Sequence, residues 1–506
     1  MKEKHAAFRD RKNPRIFWNN DGDDLRMVAF GEGEIWSPEG MIPLVERFSS
    51  VEEFLNLRLA ALRGTSVDTV SYCGVFTWPV WDYPKERIRV LGPDPLKPAI
   101  DFVHGLGKDF FFNIRMNDCH VSGPHWQGPL WWEPFRLRHR ECLQSVIPEI
   151  EWRRDYLPWA LGKSKRFPLK NILDRQGAGS REVYSWATYD YARVEVRDYF
   201  LGLIGEALER YELDGIDLDW LRSPCFFRMG EARAHVPLMN DFVRRAAALI
   251  RAASKKRKTP VACCMRVPDS PARALELGLD VAHWVREGWV DHLIAGNGLS
   301  NFSMPFEPWK KICRPHGVSV HACLSRSAHA HGDPSVFSGA CHRSWKEGVD
   351  GLYFFNHFIP GEYERMNVAA QPEKLNLAGK AYALDRQGGV FENGTAHEGP
   401  LPMIFTGCSG PTQADFEMAI PQRVPKKTRP RLKVRWRGIG NGERARWWVN
   451  GKPAARQKSG ADGCLVYEVP SLGAGSNSLK LEIDAEGLKG KELVLESVSI
   501  SFPGGP

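Results

Sequence analysis

The chain of 506 residues has no apolar run approaching the ~20 residues that a membrane-spanning helix needs, which excludes a protein of that kind. It has no C-x-x-C pair among its eleven cysteines, and Cys263 and Cys264 sit side by side in an apolar segment. Reduced thiols are therefore expected, in place of a disulfide framework or a zinc site. It has no basic block either. The 69 Lys and Arg against 61 Asp and Glu leave a net charge of +8 that is dispersed along the chain, whereas nucleic-acid binding wants a concentrated stripe. Met1 to Pro14 is charged and lacks an apolar signal core, so a cytoplasmic chain, or one exported with its signal already removed, is expected. No internal repeat or low-complexity tract is visible. What is present is ample core material: 43% hydrophobic residues, 26% charged residues and a mean hydropathy of -0.37 describe a soluble globular protein. Eighteen Trp residues exceed what a core requires, and aromatic faces stack well on sugar C–H surfaces.

Short β-branched or aromatic runs alternate with helical periodicity over the first three quarters of the chain, the pattern of βα units and a parallel sheet. Eight runs are expected as strands, starting at Arg15, Thr69, Phe110, Gly215, Val261, Val290, Val318 and Gly351. Ser50 and Glu53 are spaced as a capping box before a helix with Phe54, Leu55, Leu59 and Leu62 on one face. Apolar residues repeat with helical spacing from Val196 to Tyr211 and from Leu238 to Ile250. No Gly-rich phosphate turn follows the first strand, so a (β/α)8 barrel is preferred over a doubly wound sheet. After about Leu384, Gly and Pro become frequent and short alternating runs such as Arg431–Trp436 and Leu479–Ile483 recur near ten-residue spacing, which predicts an antiparallel β-sandwich. The expected division is residues 1–385 for the barrel and 386–506 for an accessory sandwich.

Barrel enzymes place reactive groups at the C-terminal ends of strands. The fourth strand reads Gly215, Ile216, Asp217, Leu218, Asp219, and its period of two sets Ile216 and Leu218 toward the helices and both carboxylates into the barrel. Crowding two acids out of water raises one pKa and leaves the other group charged, which makes an acid and an ionised partner from identical residues. Asp217 has the alternative of tying strands together through hydrogen bonds. Asp118, after the third strand, and Asp269, after the fifth, flank Asp219 and are the candidate second carboxyls; Asp269 has the alternative of capping the helix near Pro271, and Asp118 that of a loop turn. Arg115, Arg222, Arg266 and Arg326 recur at strand ends, where they would clamp an anionic sugar or serve as ion-pair partners for the carboxylates. His120, Asn297, Asn356 and His357 suit sugar hydroxyls, and Trp18, Trp78, Trp186 and Trp220 are candidate stacking platforms. The acidic turn Asp21, Asp23, Asp24 lacks the rest of a Ca²⁺ ligand set, so no metal and no cofactor is expected.

Tyr211 to Trp220, together with Val196-Arg197-Asp198-Tyr199, resembles a stretch of bacterial glycoside-hydrolase-like TIM barrels, the hypothetical glycosyl hydrolases grouped near family 10. Asn19 to Asp24, Arg115-Met116-Asn117-Asp118, Arg266-Val267-Pro268-Asp269 and Asp350 to Asn356 look like further landmarks of that group, so the resemblance covers Arg15 to Pro360. It implies a glycosidase barrel. Two departures narrow it. The chitinase pattern D-x-x-D-x-D-x-E would put its Glu at Leu221, and strand seven ends in Cys323-Leu324-Ser325-Arg326 without the Glu nucleophile of family 10. What remains is similar to α-glycosidase barrels, whose Asp nucleophile ends strand four.

The expected activity is therefore hydrolysis of a glycosidic bond, with Asp219 as nucleophile or base, Asp118 or Asp269 as acid, and a carbohydrate, neutral or anionic, as partner. A sugar-binding protein with a degenerate barrel is the competing expectation. An aldolase or phosphosugar isomerase is disfavoured, because no Lys ends a core strand.

Overall fold

The computed structural model describes residues 15–20, 34–37, 40–43, 50–75, 94, 96–118, 134–145, 147–165, 186–299, 302–326, 333–357, 359, 362–387, 396–406, 413–424, 428–438, 445–457, 464–483 and 492–502. Eight parallel strands close on themselves: β1 (Arg15–Asn20), β2 (Thr69–Val75), β3 (Asp109–Arg115), β4 (Gly215–Asp219), β5 (Ala262–Val267), β6 (His292–Ala295), β7 (Ser319–Ser325) and β8 (Gly351–Phe355). Each pairs with its neighbour in sequence, and β1 pairs with both β2 and β8. Helices lie between them, including Val51–Leu59, Val194–Arg210, Val236–Arg257 and Pro334–Lys346. The (β/α)8 expectation thus holds, with strand bounds that shift by a residue or two.

Local chemistry explains the elements. The Ser50 side chain accepts from the Glu53 N–H at 3.2 Å, satisfying one of the free donors at the start of its helix. Val196, Phe200, Leu203, Ile204 and Ala207 form the buried stripe of the helix before β4, and β4 itself is buried along its whole length. Ile216 and Leu218 join the apolar layer beneath the helices, while Phe17, Phe111, Cys264, Tyr353 and Phe355 fill the barrel interior. At the bottom of that interior Phe17 meets Phe111 and His321 edge-on, with ring centroids at 5.5 and 5.0 Å. Gly215 makes room for this plug, because a Cβ there would stand 2.6 Å from the Phe111 ring.

The C-terminal region is a pair of antiparallel sheets. One sets β9 (Lys380–Ala383) beside the last strand, β16 (Glu492–Phe502), which also pairs with β10 (Met403–Thr406) and β12 (Arg431–Gly438); β12 in turn pairs with β14 (Leu465–Glu468). The other orders β11 (Gln413–Ile420), β15 (Gly475–Ile483) and β13 (Ala445–Val449). Residues along β11 alternate exposed and buried without a break, as a half-buried strand must. The sandwich expectation holds, and its first strand lies at residues 380–383, ahead of position 386. Helix Pro334–Lys346 seats the two parts together: a Cβ at Gly339 would fall 1.8 Å from the Ala381 carbonyl oxygen, so glycine permits that approach, and Tyr382 Oη lies 2.9 Å from His342 Nδ1.

Candidate active site

The register places Arg115, Asp219 and Arg266 side by side on β3, β4 and β5, all three nearly inaccessible. Strands lie about 4.8 Å apart, so one row of inward side chains presents cation, anion, cation across roughly 10 Å. Arg266 Nε donates to Asp219 Oδ1 at 2.9 Å and Nη2 to Oδ2 at 2.7 Å, while the Leu221 N–H donates to Oδ1 at 2.9 Å. Burial opposes the Arg266 charge, the Asp219 carboxylate overcomes it, and the guanidinium ends above its usual pKa. The Phe355 ring lies 4.1 Å beneath the guanidinium carbon.

One layer below, Asp217 is wholly buried. Its Oδ2 accepts from Ser71 Oγ at 2.6 Å, Asn113 Nδ2 at 2.9 Å and Tyr353 Oη at 2.9 Å, from β2, β3 and β8. Its Oδ1 and the Asn113 Oδ1 have no hydrogen-bond partner among the described residues. Burial pushes the Asp217 pKa above the carboxylate range; the Ser71 hydroxyl pulls against this and the nearby Asp219 charge adds to it. The carboxylates therefore face inward as expected, in two different environments. Ser71, Asn113 and Tyr353 escaped the sequence reading, although the period of two along their strands points each of them at the same space.

The two flanking acids stand three residues beyond the two arginines. Arg115 Nη1 donates to Asp118 Oδ2 at 3.0 Å, and Arg136 Nη2 to the Asp118 carbonyl at 3.3 Å. Asp269 is not a helix cap: Ser270 takes that place, accepting from the Arg273 N–H at 3.1 Å. Asp269 instead receives the Ala396 N–H at 2.8 Å on both oxygens and the His397 N–H at 2.9 Å on Oδ2. That partner was invisible in the sequence, being more than a hundred residues away in the chain.

The remaining candidates divide. Arg326 makes a forked pair with Glu362, Nε to Oε2 at 3.0 Å and Nη2 to Oε1 at 3.2 Å, and Arg222 is half-buried in the loop after β4. Three of the four strand-end arginines thus have carboxylate partners within the chain. Asn297 Oδ1 accepts from the Leu299 N–H at 3.0 Å in a local turn, and Asn356 is half-buried with a left-handed φ of 59°. His357 is buried edge-on to Phe354, and its carbonyl accepts from Trp18 Nε1 at 2.7 Å. Trp220 and Trp186 are not stacking platforms. Trp220 is enclosed by Tyr191, Phe226, Phe242 and Trp284, and Trp186 by Tyr156 and Trp159, so neither offers a ring face to a ligand. His120, Trp78 and the turn Asp21 to Asp24 lie outside the described residues. Every described cysteine is free, and all but Cys225 are buried. No described helix is long and apolar enough to cross a membrane.

Fold and site together define a closed (β/α)8 barrel with a row of paired carboxylates and arginines at the C-terminal end of its central strands. No family model matches the chain, and no curated protein matches it. Among solved structures it is similar to a GH36 α-galactosidase from Geobacillus stearothermophilus in complex with stachyose (14% identity, TM-score 0.37, 94% of this chain and 56% of that one). It is also similar to α-L-fucosidase isoenzyme 2 from Paenibacillus thiaminolyticus (13%, TM-score 0.40, 74% and 51%) and to an Anoxybacillus α-amylase (10%, TM-score 0.37, 97% and 98%). The chain spans about half the length of the galactosidase and the fucosidase. The barrel assignment rests on the strand pairing itself, and none of these three names belongs to family 10.

Proposed function

We propose that the chain is a glycoside hydrolase that cleaves a glycosidic bond in an oligo- or polysaccharide, with Asp219 as nucleophile or base. The observation that supports this reading is the Asp219–Arg266 pair at the end of β4. A nucleophile or base must be held at the reacting centre, and the forked guanidinium fixes both oxygens of Asp219 at the strand end. A second carboxyl has to protonate the leaving oxygen. Asp118 and Asp269 are the two candidates for that part, Asp118 held by Arg115 and Asp269 by the N–H groups of residues 396 and 397. Arg115, Arg266 and Arg326 each have a carboxylate of the chain's own to answer, which supports a neutral sugar over a uronate or sulfate.

A competing reading, a carbohydrate-binding protein with a degenerate barrel, draws on the near-complete burial of the same pair, since a nucleophile has to meet its substrate. One experiment separates the two. Wild type, Asp219→Asn and Asp118→Asn are assayed for binding and turnover on a panel of neutral aryl glycosides and oligosaccharides. The hydrolase reading expects Asp219→Asn to lose at least about a thousandfold in kcat with binding retained, about 4 kcal/mol of barrier. Affinity without turnover in the wild type establishes the binding protein instead.

A further inference from the structure

The stretch between β3 and β4 gathers three metal-ligating side chains at one turn. His139, Glu141 and Cys142 bring an imidazole, a carboxylate and a thiol together, with donor atoms all within 4.8 Å of one another, as no other such trio does among the described residues. His139 Nδ1 lies 3.0 Å from Glu141 Oε1. The backbone brings in the third member: the Cys142 N–H donates to the His139 carbonyl at 2.9 Å, closing the short turn Arg140–Cys142. That turn is anchored from both directions. The Cys142 carbonyl accepts from the Asp190 N–H at 2.8 Å, and Leu143 bridges to Tyr189. The His139 ring lies 4.5 Å from that of Phe135, which stacks on Tyr199 at 4.1 Å. Arg140, the cation between the ligands in sequence, turns away to Glu149, its Nε 2.5 Å from Oε2, and to the Ile147 carbonyl. Around the Cys142 thiol the charges of Glu141, Glu195 and Asp190 act against that of Arg193. His139 and Glu141 meet water, at 37% and 56% exposure, whereas Cys142 is buried.

We infer that His139, Glu141 and Cys142 form a binding site for Zn²⁺, with the fourth position of the ion left to water. The donor set selects the metal class, since thiolate and imidazole favour Zn²⁺ whereas Mg²⁺ and Ca²⁺ take oxygen ligands. A tetrahedral ion with bonds of ~2.0–2.3 Å holds its ligands roughly 3.3–3.8 Å apart, so each donor has to move by less than about 1 Å. The ion enters where the hydrogen bond between imidazole and carboxylate now runs, and the thiol proton leaves to solvent. The consequence reaches the barrel rim. Helix Pro134–Arg138 runs directly into His139, and its Arg136 lies 4.5 Å from the Tyr189 ring centre while donating to the Asp118 carbonyl. An ion clamped at residues 139–142 therefore stiffens the support of Asp118. The site itself does not depend on the glycosidase reading.

The test uses the full chain, freed of metal by chelation. Co²⁺ serves as the spectroscopic probe, because a cobalt–thiolate bond gives a charge-transfer band in the near ultraviolet and a tetrahedral site gives intense d–d bands in the visible. The wild type should bind one Co²⁺ per chain with both signatures, and excess Zn²⁺ should abolish them while Mg²⁺ does not. Cys142→Ser should lose the charge-transfer band, and His139→Ala, at a half-exposed position, should weaken Co²⁺ and Zn²⁺ binding at least about tenfold. Zn²⁺ should also raise the unfolding midpoint of the wild type and leave that of His139→Ala where it is. A wild type without the charge-transfer band overturns the site, and so does a band that survives either substitution with undiminished affinity, which would put the ion on another of the chain's cysteines. If Cys142→Ser fails to fold, unweakened binding in His139→Ala overturns the site alone.

Discussion

Arg266 grips both oxygens of Asp219 from the neighbouring strand, at 2.9 and 2.7 Å, with each partner no more than 2% exposed. Neither charge has water to turn to, so each depends on the other. Removing the arginine leaves an uncompensated buried carboxylate, a loss of ~3–5 kcal/mol. Arg266→Met should lower the unfolding free energy by that amount, and the double variant with Asp219→Asn should regain much of it. Additive losses in this double-mutant cycle would show that the two side chains do not act as a pair.

Asp217 gives the barrel a pH dependence of defined sign. Its folded-state pKa is raised, chiefly by burial, so its contribution to stability is complete below the ordinary carboxyl value of 3.8 and declines as pH rises from there through the folded value. Unfolding free energies of the wild type and Asp217→Asn across that range should converge at low pH and diverge above it. Parallel curves would show that burial leaves the titration of this carboxyl unchanged between the folded and unfolded chain.

The plug at the bottom of the barrel makes a packing prediction. Gly215→Ala puts a methyl group against the Phe111 ring at 2.6 Å and should cost about 1–3 kcal/mol, measured by thermal or chemical unfolding. Adding Phe111→Leu should recover part of the loss, because the three atoms nearest that methyl group all belong to the Phe111 ring.

Trp220 separates core from site in a single substitution. Packed among Tyr191, Phe226, Phe242 and Trp284, it should behave as a core residue, with Trp220→Ala losing ~3–5 kcal/mol of stability. A variant that kept wild-type stability and lost only glycan affinity would mark it as a sugar platform.

Much of this was legible before any coordinates. The alternation Ile216, Asp217, Leu218, Asp219 can be satisfied in a barrel only with the acids inward, because Ile and Leu are driven out of water and the helices offer them the apolar layer. Strand ends were legible to within a residue or two for the same reason. The strands at 380–383 and 403–406 were missed because each run is only four residues long, and that at 413–420 was missed although Ala414, Phe416, Met418 and Ile420 alternate with exposed positions over eight residues. The Trp count misled, since a large indole fills the space between a barrel and its helices as readily as it stacks on a sugar.

The sequence by itself determined which side chains enter the barrel, because a strand's period of two is a property of the backbone alone. Only the tertiary structure decided what each of them meets there: Arg266 for Asp219, Ser71, Asn113 and Tyr353 for Asp217, and the returning segment at 396–397 for Asp269. Those partners come from strands and loops remote in the chain. Buried charges and N–H groups must find one another once water is gone, and which ones are within reach is set by the closure of the barrel and not by their neighbours in sequence.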